Sequence, residues 1–477
     1  MKINKKYIIA LLLCIFVLSN ANMSYAFSFR HGKRTQSVSA KIKSNSKQVE
    51  NTYTNETHSI FSLKDCIEIA MLHNPAIRAS LYNEDVYKSK IGQAWSSYFP
   101  QIAAGIDVSR SGNKYNKEIP PYNRRSVYST MGYVPSISAD MMIFDFGKTK
   151  ATADMAKRMY EATQEDTKEY INNVIYRIKT AYYNILFAQA QVKVYEDTVN
   201  DYQLQQKQAT GFYTYGVKPK IDVITAEYNL GKAKLNLVKA KNVLEVAQIE
   251  LSKIMGIPEY TNYELSDQMH FNKYEISVDD AVNKAFEVRP ELLSAAKNLE
   301  ASKMNLRAAR REFTPNIGIY GSYGNGLGNE YNVQSTQVGV GLNYTSLNLA
   351  LLKKQVDEAK ASYEMNKALY EDTRDNVYFN IKKNYLELET ASEAIVIAKL
   401  ALEQAKEQYR QVTGRYKAGV GNAIELKDGE NTYLNARLDF YNAVLNYNIT
   451  AASLEKEIGV PLEPSDKKVL EITSDDL

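Results

Sequence analysis

The chain has 477 residues, a formal net charge of +4 and 24% charged residues. A balance this close to neutral gives no general argument for nucleic acid as a partner. The length allows two or three ordinary domains and does not choose an architecture. Beyond the N-terminal segment no stretch is long and apolar enough for a membrane-spanning helix, so any crossing of a membrane must use strands.

The first residues have the pattern of a secretory signal peptide. Three lysines precede an apolar run of about 12 residues (7–18), and small residues lie before a cleavage point after Ala26. A spanning anchor is the alternative, but it needs about 20 apolar residues. We therefore predict a signal peptide at 1–26. The polar stretch 27–60 has no periodicity and is predicted to be a disordered leader.

The remainder of the chain contains two copies of one unit. Residues 212–258 align with residues 415–461 at a constant shift of 203, with twelve identical positions. Further upstream the shift becomes 215, which pairs Pro75 with Pro290. Such self-similarity indicates a duplication. The predicted organisation is a first repeat at 61–258, an equatorial linker at 259–277, a second repeat at 278–461 and a C-terminal tail at 462–477.

Each repeat begins with a helical stretch followed by two short runs of alternating residues. The helical stretches, 63–98 and 278–313, end before Pro100 and Pro315, because proline disfavours helix in the preceding residue. Period-two alternation predicts strands with one apolar face. The apolar positions of the four predicted strands are Ile102, Ala104, Ile106, Val108, Ile137, Ala139, Met141, Ile143, Ile317, Ile319, Tyr323, Val338, Val340, Leu342 and Tyr344.

A much longer helix and a shorter one complete each repeat. The long helices are predicted at 147–214 and 349–417, and the shorter ones at 220–255 and 423–458. Apolar residues recur every seven positions in these helices, which predicts coiled-coil packing. In the first long helix the recurring residues are Ile171, Ile178, Ile185, Val192 and Val199.

Helix lengths suggest how these parts assemble. At 1.5 Å per residue a long helix spans roughly 100 Å and a short helical stretch roughly 54 Å, so two short ones end to end match one long one. Chain order suggests that 220–255 stacks under 278–313, and pseudo-symmetry then places 423–458 under 63–98. The expected fold class is mainly α with a small β part, in which duplicated long coiled-coil helices carry four strands.

The four strands bear on whether the chain acts alone. Their open edges would leave backbone groups unpaired in lipid, and known spanning barrels have at least eight strands. A membrane-spanning form therefore needs two or more chains. Heptads alone also fit a non-channel periplasmic coiled-coil scaffold, and that alternative predicts that the four alternating segments are loops.

The turns between the helices carry the most specific pattern. They read YTYGVKPKIDVITAE (213–227) and YKAGVGNAIELKDGE (416–430), and the dipeptides at 74–75 and 289–290 are Asn-Pro and Arg-Pro. Together with the duplication, the strand pairs and the signal peptide, these motifs make the chain resemble the TolC family of outer-membrane efflux channels over about 61–461.

The resemblance implies a homotrimer. Twelve strands would close one transmembrane β-barrel in outer-membrane lipid, and the helices would form an α-barrel tunnel across the periplasm. It also implies docking to a periplasmic adaptor (membrane fusion) protein coupled to an inner-membrane pump of the ABC, RND or MFS type. The expected function is a passive exit duct for efflux or type I secretion, without catalysis, cofactor or nucleic acid.

The sequence offers little for catalysis or metal binding. The four histidines are scattered without metal-ligand spacing, and no nucleophile motif such as G-x-S-x-G occurs. Gly414, Gly419 and Gly421 lack the residues of a phosphate-binding loop and are interpreted as a chain reversal between helices. The predicted tip turns, which the resemblance makes the adaptor contact, contain Gly216, Val217, Gly419 and Val420.

Two acids follow the second turn. Glu425 lies three residues after Asn422, which fits a capping box, and an acid in a first helical turn is favoured by the helix dipole. Asp428 lies three residues further on, hence on the same helix face. The resemblance places Glu425 and Asp428 in an acidic ring that lines the constricted periplasmic entrance.

The resemblance also names candidates for holding that entrance closed. Asp222 matches a family position involved in closure, and Tyr416 matches a latch tyrosine. Well-studied members of the family can carry an arginine two residues after the turn glycine, where this chain has Gly421. The closing network must therefore differ here, and Arg415 or Lys417 are the candidates to replace that arginine.

Overall fold

The computed structural model of the chain describes residues 59–114, 127–257, 263–266, 269–271, 274, 276–328, 332–344 and 348–461. The predicted signal peptide, residues 27–58 of the predicted leader and the predicted C-terminal tail lie outside these ranges. Within them, no helix is long and apolar enough to cross a membrane.

Helices make up most of the described chain, and strands form a small part, which confirms the mainly α fold class. Within each repeat a pair of long strands lies between the short helices and the long helix. In chain order the elements are β1 (Ser59–Phe61), α1 (Leu63–His73), α2 (Pro75–Trp95), β2 (Gln101–Lys114), β3 (Val127–Phe144), α3 (Lys148–Thr214), α4 (Lys220–Met255), β4 (Tyr263–Leu265), α5 (Val278–Val288), α6 (Pro290–Arg311), β5 (Asn316–Gly328), β6 (Asn332–Asn343), α7 (Leu349–Lys417) and α8 (Ala423–Ile458).

Four of the strands form one antiparallel sheet in the order β2–β3–β5–β6, so β2 and β6 are its edges. The four strands predicted from period-two alternation are thereby confirmed. The register aligns Ile137 with Tyr323 and Ile319 with Val340. Because partners in register share a face, the apolar residues of all four strands lie together.

This shared face, called here the apolar sheet face, is exposed in the protomer. Its large side chains are between 41% and 81% exposed, and they are Ile102, Ile106, Val108, Tyr133, Ile137, Ile319, Tyr323, Val338, Val340 and Leu342. The opposite face of the sheet is mostly polar or small, and it includes Asp107, Ser136, Ser138, Asp140, Ser322, Gln337 and Asn343. The sheet therefore has one apolar and one polar side.

Each long helix forms a hairpin with the shorter helix that follows it. α3 packs along α4, α7 packs along α8, and a contact between α3 and α8 joins the two hairpins. The heptad positions Ile178 and Ile185 of α3 are fully buried, as are Ile381 and Ile395 of α7. Burial at heptad spacing is what coiled-coil packing predicts.

The helical stretches before the strands differ from the expectation of one continuous helix. Each is broken into two helices, because Asn74 and Arg289 have extended backbone angles directly before a proline. Proline disfavours the helical conformation in the residue that precedes it. Pro75 and Pro290 then begin the next helix, where the missing N–H is tolerated.

The stacking suggested by chain order is wrong, because each repeat closes on itself. α4 ends against the α1–α2 break, where Asn74 Nδ2 donates to the Ile254 carbonyl at 2.8 Å. α8 ends against the α5–α6 break, where the Arg289 guanidinium donates to the Glu457 carbonyl at 2.9 Å. Ile254 and Glu457 are equivalent at the shift of 203. Both repeats therefore use the residue before the proline to hold the end of their own last helix.

A glycine makes the first of these junctions possible. Gly256 follows α4 with a left-handed φ of 77°, a common way to end a helix. A Cβ at this position would lie 2.7 Å from the carbonyl oxygen of His73, the last residue of α1. The close approach of α4 to the α1–α2 break therefore requires a residue without a side chain.

The end of the predicted leader also needs correction. Ser59 and Ile60, expected to be disordered, belong to β1, which pairs in parallel with β4 in the predicted linker. Backbone pairing satisfies their polar groups, and the rings of Phe61 and Tyr263 lie 5.5 Å apart, centroid to centroid. A search of the sequence for period-two alternation does not find three-residue strands, because they are too short to show it.

Candidate functional site

The two helical hairpins end in tip turns of the same geometry. Gly216 and Gly419 have left-handed φ angles of 70° and 77°. In the next residue of each turn, Val217 and Val420, the N–H donates to a carbonyl five residues earlier, at 2.8 and 3.1 Å. This is the bond of a Schellman motif, and it leaves the two valines 65% and 74% exposed at the tips.

Gly421 is in tight contact with the end of α7. Its N–H donates to the Arg415 carbonyl at 3.0 Å, and a Cβ here would lie 2.9 Å from the Tyr416 nitrogen. A larger residue would therefore have to move backbone, which gives a physical reason for glycine at this position. Gly414, interpreted from the sequence as part of the reversal, lies instead within α7.

The second tip turn leads directly into α8, whose first residues hold one of the predicted acids. The Asn422 side chain accepts from the N–H groups of Ile424 and Glu425 at 2.9 and 2.8 Å, so Asn422 caps the helix as predicted. The Glu425 carboxylate lies 3.5 Å from the Arg415 guanidinium. Arg415, at the end of α7, thus bridges the two helices of the hairpin through an exposed ion pair.

The two predicted ring acids share one end of α8. Both Glu425 and Asp428 are exposed in the protomer, and Lys417 is the exposed last residue of α7. Exposure leaves both carboxylates available to ions or to neighbouring chains. The geometry of one protomer brings Arg415 to Glu425, and it leaves the Asp428 carboxylate exposed one turn further along.

Tyr416 lies in the contact between the two tips. Its side chain is buried, with the ring edge-on to Phe212 at 6.5 Å and the Lys218 ammonium 5.2 Å from its centroid. Lys218 in turn lies 3.9 Å from Asp222. Burial raises the pKa of the Tyr416 hydroxyl, and the Asp222 carboxylate adds to the rise. The structure therefore brings together two of the latch candidates, Tyr416 and Asp222, and adds Lys218 to them.

A second group of polar residues lies above the tips, where α3 meets α7 and α8, and no sequence pattern predicts it. We call this group the polar seam. It is held by bonds from Arg437 to Asp197 at 2.9 Å, from Gln205 to Glu430 at 3.1 Å and from Tyr409 to Asp201 at 3.4 Å. The repeat alignment could not have found it, because Glu227, the equivalent of Glu430, is exposed.

The described residues at the tips and in the polar seam do not form a metal site. Across the described ranges no group of three or more His, Cys, Asp or Glu side chains is arranged to hold a metal ion. The tips carry exposed carboxylates, exposed valines and a buried tyrosine between the two hairpins. The carboxylates can attract cations from solution, and the valines can contact another protein.

Known outer membrane proteins are similar to this chain along most of its length. The chain is 20% identical over 404 residues to the probable efflux pump outer membrane protein TtgC of Pseudomonas putida, covering 83% of each chain. It is 21% identical over 430 residues to the outer membrane protein TolC of Escherichia coli, covering 83% of this chain and 82% of TolC. The solved outer membrane channel CmeC of Campylobacter jejuni has the same fold, with a TM-score of 0.72, 18% identity and coverage of 85% and 87%.

The family profile described as outer membrane efflux protein matches residues 66–257 and 281–460. The two matched segments cover most of α1 and all of α2 to α4, then most of α5 and all of α6 to α8, with both strand pairs, which is well over half of the chain. On this evidence the chain belongs to the outer membrane efflux protein family, the TolC-like proteins, and is an outer-membrane channel protein rather than an enzyme.

Proposed function

We propose that three copies of this chain form the exit duct of a tripartite efflux or type I secretion system. The duct is closed at rest near the helical tips. A periplasmic adaptor protein opens it by engaging those tips, and an inner-membrane pump of the ABC, RND or MFS type supplies the energy. The duct itself is passive.

The apolar sheet face is the observation that carries this proposal. Its side chains form one contiguous exposed surface across four strands, and soluble monomers rarely expose so large an apolar patch. Lipid is the medium that such a face fits. In lipid the backbone groups along β2 and β6 must find partners, so the sheets of neighbouring copies supply them. Three copies give twelve strands in a closed barrel.

Two further apolar surfaces support contact between copies. α4 and α7 each bury one heptad seam in their own hairpin and expose a second. The α4 stripe comprises Ile221, Ile224, Tyr228, Leu235, Val238 and Ile249, and the α7 stripe comprises Met365, Leu369, Phe379, Leu386, Ile397 and Leu400, all 50% to 65% exposed. Heptad spacing on two free helix faces favours packing of the α4 stripe on the α7 stripe of the next copy.

The tips are the proposed entrance. In a trimer Glu425 and Asp428 would form a ring of six carboxylates, which attracts cations and repels anions. Tyr416 with Asp222 and Lys218 would hold the two hairpins together in the closed state. The Arg415–Glu425 pair at 3.5 Å takes part of the role of the missing arginine, and Lys417 is exposed beside it.

The adaptor is proposed to bind the tip turns. Gly216 and Gly419 expose Val217 and Val420 at the extreme ends of the hairpins, and burying these two side chains against a partner would stabilise the complex.

A non-channel periplasmic scaffold is the alternative function. It predicts that the four alternating segments are loops, whereas they pair as strands with an exposed apolar face. That face has no role in a scaffold surrounded by water.

Purification from outer membranes in detergent, followed by mass determination and planar-bilayer recording, tests the proposal. We expect the mass of three chains and a cation-preferring channel with low resting conductance. A monomer that forms no pore, or a protein that leaves the membrane fraction without detergent, would contradict the proposal.

A further inference from the structure

The seam between the two hairpins changes character along its length. Near the middle of α3, Val194 belongs to the main apolar core, together with residues of α7 and α8. Closer to the tips the polar seam joins α3 to the other hairpin, and at the very end Phe212 contacts Tyr416. A hydrogen bond contributes about 1 kcal/mol to stability, whereas a fully buried apolar side chain contributes about 1.5–3 kcal/mol. The polar seam is therefore expected to hold the two hairpins less tightly than the apolar core does.

Glu430 is the buried acid of the polar seam. Its side chain is buried, with 4% exposure. One carboxylate oxygen accepts from Gln205 at 3.1 Å, and the other has no hydrogen-bond partner among the described residues. An ionised carboxylate is costly in such a place, whereas a neutral carboxyl is tolerated. Burial raises the pKa of Glu430 to about 7, and the nearby charge of Asp201 adds to the rise.

Hydrogen bonds from Gln205 and Tyr202 lower the pKa of Glu430, but they offset only part of the effect of burial. On α3 the hydroxyl of Tyr202 and the carboxylate of Asp201 face it. Arg437, two turns along α8, pairs instead with Asp197. The other charged and titratable groups facing the seam are Tyr409 and Lys417 on α7, which act on Asp201, and Tyr433 on α8, which stacks on Tyr409 at 5.5 Å between ring centroids.

We propose that Glu430 is a proton-binding site that regulates the entrance, so that protonation favours the packed seam and ionisation favours its separation. The proposal rests on the duct function proposed above and adds its regulation. When the α7–α8 hairpin moves away from α3, water reaches the carboxylate and the cost of its charge falls. A proton is therefore released as the seam separates and taken up as it closes.

The direction and size of the effect follow from linkage. The packed state has the raised pKa of about 7, and the separated, hydrated state returns toward the ordinary value of 4.5. Between these values the packed state binds more protons, so it gains on acidification and loses as the pH rises through 7. From pH 6 to pH 8 the ratio of separated to packed seam should rise about tenfold for each protomer.

Two measurements on the detergent-purified, full-length oligomer test the inference. Infrared difference spectra between pH 5 and pH 9 detect the C=O stretch of a protonated carboxyl, and planar-bilayer recordings give the open fraction over the same range. The variants are Glu430→Gln, which keeps the shape without the charge, and Glu227→Gln, the exposed equivalent in the first repeat, as the matched control.

For the wild type and Glu227→Gln we expect a carboxyl band that disappears with a midpoint near pH 7, and an open fraction that rises about tenfold or more from pH 6 to pH 8. In Glu430→Gln that band should be missing and the open fraction should stay low at both pH values. Asp201→Asn removes a charge that raises the Glu430 pKa, so it should move the band and the opening to lower pH. This second variant tests the inference if Glu430→Gln does not assemble.

A carboxyl band that persists in Glu430→Gln, or an unchanged pH dependence of opening in that variant, would overturn the inference while leaving the duct intact. A wild type that conducts at no pH would contradict the proposed function instead. In that case the infrared titration still decides whether Glu430 binds the proton.

Discussion

At the scale of single residues, Tyr416 has the clearest predicted effect. Its hydroxyl lies in the buried contact between the tips, next to Asp222 and Lys218. Tyr416→Phe keeps the ring packing on Phe212 and removes the hydroxyl, so the resting conductance should rise severalfold. The control is Tyr215→Phe in the first tip turn, because Tyr215 is 85% exposed to solvent. Equal conductance of Tyr416→Phe and the wild type would remove Tyr416 from the latch.

The ring acids give the second prediction at this scale. Glu425→Gln with Asp428→Asn removes both carboxylates and leaves the backbone unchanged. Cation preference and block by multivalent cations should both weaken, because the field at a constriction depends on its fixed charges. Reversal potentials in a salt gradient and current block measure the two effects. Glu407→Gln on the exposed face of α7 is the control, and unchanged selectivity in the double variant would place the acids away from the lumen.

Local sequence predicted part of this site and could not predict the rest. The turn glycines and the Asn422 cap were predictable, because turns and caps depend on neighbours in the chain. Tyr416 and Asp222 were named only through the resemblance. Lys218 and Glu430 were missed, because their roles depend on contacts between residues far apart in sequence, Lys218 with Tyr416 and Glu430 with Gln205.

At the scale of elements, the ends of the long helices were predicted almost to the residue. The structure ends them at Thr214 and Lys417, as the sequence suggested. Heptads and helix-ending glycines are local signals, and they suffice for such boundaries. Stacking was predicted wrongly, because it depends on long-range contacts such as that of Arg289 with the end of α8. Chain order does not reveal those contacts.

The Arg289 junction can be tested directly. Arg289 pairs with Glu457 at 2.6 Å, and both side chains are largely buried. Arg289→Met leaves a buried carboxylate without its partner, which should lower the free energy of unfolding by about 3 kcal/mol. Glu457→Gln in the same chain should recover most of that loss, because it removes the unpaired charge. Arg158→Met, which breaks more exposed pairs with Glu161 and Glu300, should cost less than about 1 kcal/mol.

Chemical denaturation of the purified oligomer, followed by circular dichroism, measures these changes. A similar loss for Arg289→Met and Arg158→Met would mean that the helix junction does not depend on the buried pair. Failure of Glu457→Gln to compensate would point to lost packing of the arginine stem instead.

At the scale of the whole molecule, three exposed apolar surfaces have to be covered. The apolar sheet face fits lipid, and the α4 and α7 stripes fit each other in neighbouring copies. The sequence predicted oligomerisation from the strand edges alone. It did not predict the stripes, because a heptad pattern does not say which of two seams is buried within the protomer. Only the packing of α4 on α3 separates the inner seam from the outer one.

Val238 lies in the middle of the α4 stripe and is 64% exposed. Val238→Asp should therefore weaken assembly by placing a charge in an apolar contact between copies, at a cost of roughly 2 kcal/mol or more for each interface. Fold within the protomer should survive, because the side chain faces away from α3. Lys239→Asp, at the exposed neighbouring position, is the control and should assemble normally.

Mass determination in detergent at decreasing protein concentration distinguishes the two variants. We expect Val238→Asp to dissociate at concentrations where Lys239→Asp and the wild type remain trimeric, with unchanged helical content in all three. If Val238→Asp assembled as tightly as the wild type, the α4 stripe would not be the contact between copies. The twelve-strand closure would then have to be maintained by the sheet edges and other helix faces alone.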